Sequence, residues 1–221
     1  MKKLILVAAI SVSVLSCKKE ATITYKYADK PLALKCENVD EKLFNEAYYA
    51  FENAIVIHAK NTNRRPNTTV TSESALRTFI TRSRGNLKIT DYVTEESLEV
   101  FNNLKSLAIW DGAQLKNKAA VTECIGNLIS NPTIKGSFNT LRTVESLSPK
   151  LMVSTIVDNR TVRDQFKDKA LMTYVAFDMY YAKFFNTDFS KTTFLTEKEN
   201  VVAPKKSLTT AKKPEIGKAL N

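Results

Sequence analysis

Side chains that can do chemistry are sparse in this chain of 221 residues. His58 is its only histidine, so any Ser/His/Asp or Cys/His nucleophilic centre would have to use it. It closes an apolar series, Leu43, Ala47, Phe51, Ala54 and Ile55, spaced as one face of a helix, which points to a packed imidazole. The acids Asp91, Glu95, Glu96 and Glu99 cluster where a helix should begin. Carboxylate pairs about 5 to 9.5 Å apart run glycoside hydrolysis, but acids at a helix start also favour its dipole and solvate its outer face. The sequence has no HExxH, no CxxCH, no cysteine cluster with zinc spacing and no glycine-rich phosphate loop. No metal, no cofactor and no catalytic residue is therefore expected.

The richest feature is basic. Between residues 60 and 88 stand Lys60, Arg64, Arg65, Arg77, Arg82, Arg84 and Lys88 against one acid, Glu73. Arg77 and Arg84 are seven apart and share a face if the segment is helical. The planar guanidinium fork fits carboxylates and phosphates. Arg64, Arg65, Arg77, Arg84 and Lys88 are thus the candidate anion-binding residues, and a merely solvated loop and helix is the competing account of the same charge.

The N-terminus decides which anions are at hand. Lys2 and Lys3 precede the apolar run Leu4 to Leu15, then small Ser16 and Cys17. That run is too short to cross a bilayer, which takes about 20 residues. "VLSC" resembles the box that closes the signal peptides of bacterial lipoproteins, with Val14 where leucine is commoner, and "SCKK" is similar to the lipoproteins of Bacteroidota. The resemblance covers residues 1–17 alone. It implies cleavage before Cys17, acylation of the cysteine with palmitate-type chains, and stable anchoring, since two chains suffice where one is marginal. Lysine after the cysteine implies the outer membrane. Glu20 is a lone acid there, which implies the periplasmic face and leaves surface exposure open. Nucleic acid is not an expected partner in that compartment; lipid headgroups, anionic envelope polymers or another envelope protein are. Loss of residues 1–16 removes Lys2 and Lys3 and lowers the formal charge from +10 to +8.

Cys36 and Cys124 then face an oxidising compartment, where disulfides persist. Two cysteines allow one pairing, so a Cys36–Cys124 bridge is expected, the alternative being reduced thiols with Cys124 as a small core residue.

Positioning these groups falls to helices. Residues 17–38 read as a lipidated polar tether, despite the alternation of Ile23, Tyr25 and Tyr27. Asp40 is the cap of the first helix, and 61–72 is a loop. Ala75, Leu76, Phe79 and Ile80 mark a short helix that Gly85 closes in a left-handed conformation. Thr94 caps a helix carrying Leu98, Phe101, Leu104 and Ala108, and Asp111–Gly112 makes a turn. Leu115, Ala119, Ile125, Leu128 and Ile129 continue the pattern until Asn131–Pro132 stops it. Phe138, Leu141 and Val144 follow, and Ser148–Pro149 is a start signal. The longest stripe runs Val162, Phe166, Ala170, Thr173, Phe177, Tyr180, Tyr181, Phe184. Tyr180 and Phe185 fall outside its tightest line and are candidates to line a groove, although core packing fits the spacing better. Residues 188–221 read as a Lys/Pro/Thr-rich disordered tail.

The expected fold class is all-α: one domain over 39–187, with six to seven helices in a bundle or orthogonal array. The expected function is a membrane-anchored envelope binding or accessory factor that contacts an anionic ligand through 64–88. The alternatives are a protein-partner module, inhibitor or assembly factor, using the aromatic C-terminal helix, and then a carboxylate glycosidase.

Overall fold

A helix that is apolar on nearly every side must sit inside a domain rather than on it. Residues Leu43 to Phe51 are all buried, so α1 (Glu41–Thr62) lies inside the domain, with the two helices that follow it and the C-terminal helix packed against it. Its start is fixed by Asp40, whose Oδ1 accepts the Leu43 N–H at 3.0 Å. The computed structural model describes residues 23–64, 68–85, 87–158 and 164–198. Among them seven helices enclose one core, and the fold is all-α apart from a single small hairpin.

Against α1 lie α2 (Ser72–Arg82) and α3 (Glu95–Leu104). Both begin in reciprocal caps, Thr71 with Ser74 and Thr94 with Ser97, in which each side chain accepts the other residue's backbone N–H. A 3-10 turn, Ile89–Tyr92, joins them. After α3 a hairpin forms from β1 (Trp110–Asp111) and β2 (Gln114–Leu115), antiparallel, with Trp110 opposite Leu115. Gly112 takes φ 57° in its turn, as Asp111–Gly112 foretold. Leu115 accordingly belongs to a strand, and Ala108 is exposed beyond the end of α3. Gly85 does not adopt a positive φ; α2 instead ends at Arg82 with Ser83 still right-handed.

Next come α4 (Ala120–Leu128), α5 (Pro132–Thr143) and α6 (Pro149–Asp158). Asn131–Pro132 both stops and starts: Asn131 Oδ1 accepts the Ile134 N–H at 2.9 Å, and Pro132 occupies the first position of α5, where its missing donor costs nothing. Val144, expected on the apolar stripe, is instead the exposed C-cap of α5.

The long C-terminal stripe is divided. Val162 lies outside the described residues, and Phe166 sits in a separate 3-10 turn, Gln165–Lys167. Asp168 then restarts the chain by capping α7 (Lys169–Tyr174), accepting the Leu171 N–H at 3.0 Å. The helix continues through π-helical turns, Val175–Tyr181, to a last α turn, Ala182–Phe184. Every residue from Ala170 to Ala182 is buried.

Both ends of the domain extend past the sequence boundaries. Residues 23–38, read as tether, form a strap on the core: Ala33, Leu34 and Cys36 are buried. Buried Glu46 accepts the Lys26 and Tyr27 N–H groups at 2.9 and 3.0 Å, and buried Asn45 accepts the Ala33 N–H at 2.8 Å. At the other end Phe189 and Phe194 pack against the core, and the Leu195 N–H donates to the Val93 carbonyl at 2.8 Å. Residues 17–22 of the tether and 199–221 of the tail lie outside the described residues.

Candidate functional site

The basic segment owes its geometry to α2, whose buried face, Ala75, Leu76, Phe79 and Ile80, leaves its arginines on two sides. On one side Arg77 lies 4.6 Å over the ring of Phe166, and Arg84 donates to Asp158 Oδ1 at 2.7 Å. Arg77 thus meets the turn before α7, while Arg84, two residues past the end of α2, meets α6. On the other side Arg82 donates towards His58 Nε2 and the Tyr92 hydroxyl, both at 3.2 Å. Lys88 goes with this second group, its ammonium 3.6 Å from Asp91 Oδ1. Lys60 pairs with Glu197 at 2.7 Å. Arg64 is exposed in the loop after α1, and Arg65 lies outside the described residues.

The charge surplus of 60–88 is therefore offset from beyond the segment. Asp158, Asp91 and Glu197 each come to one of its cations. All three pairs are exposed, and such pairs contribute only about 0 to 1 kcal/mol each.

His58 is a packed imidazole. Its ring stacks on Tyr92 with centroids 3.9 Å apart, and both nitrogens are engaged, Nδ1 with the Asp91 carbonyl at 2.9 Å and Nε2 with Arg82. A carbonyl can only accept and a guanidinium can only donate, so the ring is the neutral tautomer with its proton on Nδ1. Burial lowers its pKa below the ordinary 6.5 and Arg82 lowers it further, while the hydrogen bond to Asp91 opposes both.

The acids near α3 serve separate partners. Asp91 faces Lys88. Glu96 takes the Tyr27 hydroxyl at 3.3 Å and Lys26 at 3.6 Å, while Glu95 and Glu99 are exposed. Among the described residues no group of three or more His, Cys, Asp or Glu is placed to hold a metal ion, and no helix is long and apolar enough to cross a membrane.

The aromatic run is core. Tyr174, Phe177, Tyr180, Tyr181 and Phe184 are all buried, and the Tyr180 hydroxyl donates to the Tyr92 carbonyl at 2.8 Å. Phe185 packs edge-on against Phe101 and Trp110, with centroids 5.0 and 5.3 Å away. Tyr180 is therefore core, as the spacing favoured, and Phe185 is partly buried against it.

Two buried carboxylates were not singled out from the sequence. Glu46 clamps the strap, and Asp178, in the π-helical turns, accepts the Leu115 N–H at 3.1 Å and the Tyr174 hydroxyl at 2.8 Å. Burial pushes the Asp178 carboxyl up from its usual range against both hydrogen bonds. The expected disulfide is present: Cys36 and Cys124 are bonded, with Cα atoms 5.9 Å apart, and the bridge fastens the strap to α4. Cys17 lies outside the described residues.

No known protein family, curated protein or solved structure matches the chain.

Proposed function

We propose that the chain is a cell-envelope lipoprotein, anchored in the outer membrane through acylated Cys17 and facing the periplasm, whose helical domain works by binding an anionic envelope ligand. The observation that carries the reading is that Arg77 and Arg84 stand at the turn before α7 and at α6, with Arg64, which Arg65 follows in sequence, exposed in the loop after α1. Among the described residues Arg77 keeps its guanidinium on an aromatic ring without a carboxylate partner, and the Arg84 guanidinium is held by exposed Asp158. An anionic polymer or headgroup displaces such a pair at small cost. The engagement of His58, Glu46 and Asp178 in structural hydrogen bonds supports binding over catalysis.

The test replaces Arg64→Glu, Arg65→Glu and Arg77→Glu together and measures cosedimentation with anionic liposomes and with purified cell-wall material. Wild-type binding is expected to fall steeply toward physiological salt, where the Debye length is about 8 Å, and the triple variant is expected to lose it at low salt with its helical circular dichroism intact. A folded triple variant that sediments like wild type removes the basic segment from the proposal. The anchor is checked separately: wild type should label with palmitate and partition into detergent, and Cys17→Ser should do neither.

A further inference from the structure

We propose that the domain rests directly on the lipid surface, seated on the strap edge that carries Tyr25, Leu32 and the lysines around them. This rests on the reading of Cys17 as the acylated residue. The argument is one of length. A tether over 17–38 would let the domain stand some 70 Å from the membrane, since an extended chain spans at most about 3.3 to 3.6 Å per residue. The structure removes most of that reach. The Lys26 and Tyr27 N–H groups are clamped by Glu46, the Tyr27 carbonyl accepts from Asn45 Nδ2 at 3.2 Å, the Pro31 carbonyl accepts from the Tyr49 hydroxyl at 2.9 Å, and Cys36 is bonded to Cys124. Only residues 18–22 separate Cys17 from the first described residue, Ile23. Their full extension is about 20 Å, which is shorter than α1 alone, whose 22 residues at about 1.5 Å each span some 33 Å. The strap edge is therefore the part of the domain that stays beside the bilayer.

The chemistry of that edge suits a headgroup boundary. Tyr25 and Leu32 are among the large apolar residues the fold leaves exposed, at 37 and 38%. They line a cavity of about 320 Å³ whose wall also holds Lys42 and the carboxylates Glu41 and Glu46, both of which accept backbone N–H groups of the strap. Lys26, Lys30 and Lys42 are exposed beside them, and Glu41, the acid closest in sequence to Lys42, is turned back to accept the Cys36 N–H at 2.8 Å. Tyrosine rings prefer the membrane–water interface, and lysines lay their stems on apolar surface while their heads reach anionic phosphates. Asp29 and Glu37, the exposed acids within the strap, oppose this, as does Glu96, whose carboxylate lies 3.6 Å from the Lys26 ammonium.

The experiment places the photocrosslinking residue p-benzoylphenylalanine at position 25, 32 or, as the remote control, 144, in full-length lipidated protein in vesicles of phosphatidylethanolamine and radiolabelled phosphatidylglycerol. Val144 is 61% exposed and lies at the end of α5. Crosslinking to labelled lipid from 25 and 32, lost or much weaker at 144, is the expected result. Crosslinks from 25 and 32 to a second copy or another protein instead of lipid overturn the proposal, as does equal lipid labelling at all three positions. Palmitate labelling of the same samples separates the two readings: a labelled protein without lipid crosslinks refutes the seat and leaves the anchor, whereas an unlabelled one refutes both.

Discussion

Cys36 and Cys124 are bonded across 88 residues, and the bridge joins a strap without regular secondary structure to α4 in the core. Closing a loop of that size in the unfolded chain is worth about 4.5 kcal/mol in the chain-entropy account. Reduction, or Cys36→Ala with Cys124→Ala, is expected to cost a large part of that. Urea unfolding with and without reductant measures it, and an unchanged midpoint would show that the strap is held by Glu46 and Asn45 alone.

His58 gives stability a pH dependence of known sign. Its pKa is below 6.5 in the folded state, so between the two values the unfolded chain binds a proton that the native ring does not. Stability therefore rises with pH up to about the unfolded value and levels off above it. His58→Gln is expected to flatten this part of the profile, and parallel stability profiles for the two proteins between about pH 5 and 7 would refute it.

Gly126 marks the tight approach of α4 to α5. A Cβ there would stand 2.3 Å from Asn139 Oδ1 and 3.1 Å from a ring carbon of Phe138, and the Gly126 carbonyl accepts from Asn139 Nδ2 at 3.0 Å. Helix propensity favours alanine over glycine by about 1 kcal/mol, whereas overpacking costs about 1 to 3 kcal/mol. Gly126→Ala is expected to lower stability, and to lower it less in an Asn139→Ala background. A higher denaturation midpoint for Gly126→Ala would mean that the neighbours yield freely.

Helices and bridge were legible because simple rules carry them: Asp40, Thr94 and Ser148–Pro149 mark helix starts, and once Cys17 is read as the acylated residue the two remaining cysteines allow one pairing. The strap was not, because what holds it is Glu46 and Asn45, polar residues of α1 that read as its solvent face until the chain folds back over them. The basic residues between 60 and 88 looked like one surface because Asp158 and Glu197, which offset Arg84 and Lys60, are distant in sequence. The break before α7 was hidden because Phe166 keeps the apolar period across Asp168, whose role as a cap depends on where the chain turns. Asp178 could not be singled out either: it sits within the aromatic run, and its partners Leu115 and Tyr174 meet only through the hairpin and the π-helical turns.

Asp178 provides the last test, since it opposes two physical effects at one buried site. Its oxygens satisfy the Leu115 N–H and the Tyr174 hydroxyl, so Asp178→Leu strands two buried donors and is expected to cost about 3 kcal/mol, at about 1 to 3 kcal/mol per unsatisfied group. Asp178→Asn keeps an acceptor for Leu115 and a donor for the Tyr174 oxygen, without the charge. Because burial raises the folded carboxyl above its ordinary 3.8, the wild type is favoured most when the group is protonated in both states, and it loses that advantage as pH rises through the folded value. The stability of Asp178→Asn relative to wild type is therefore expected to increase from about pH 4 upward, read from urea midpoints of the two proteins across pH. A relative stability that moves the other way would show that the two hydrogen bonds outweigh burial and hold the carboxylate ionised.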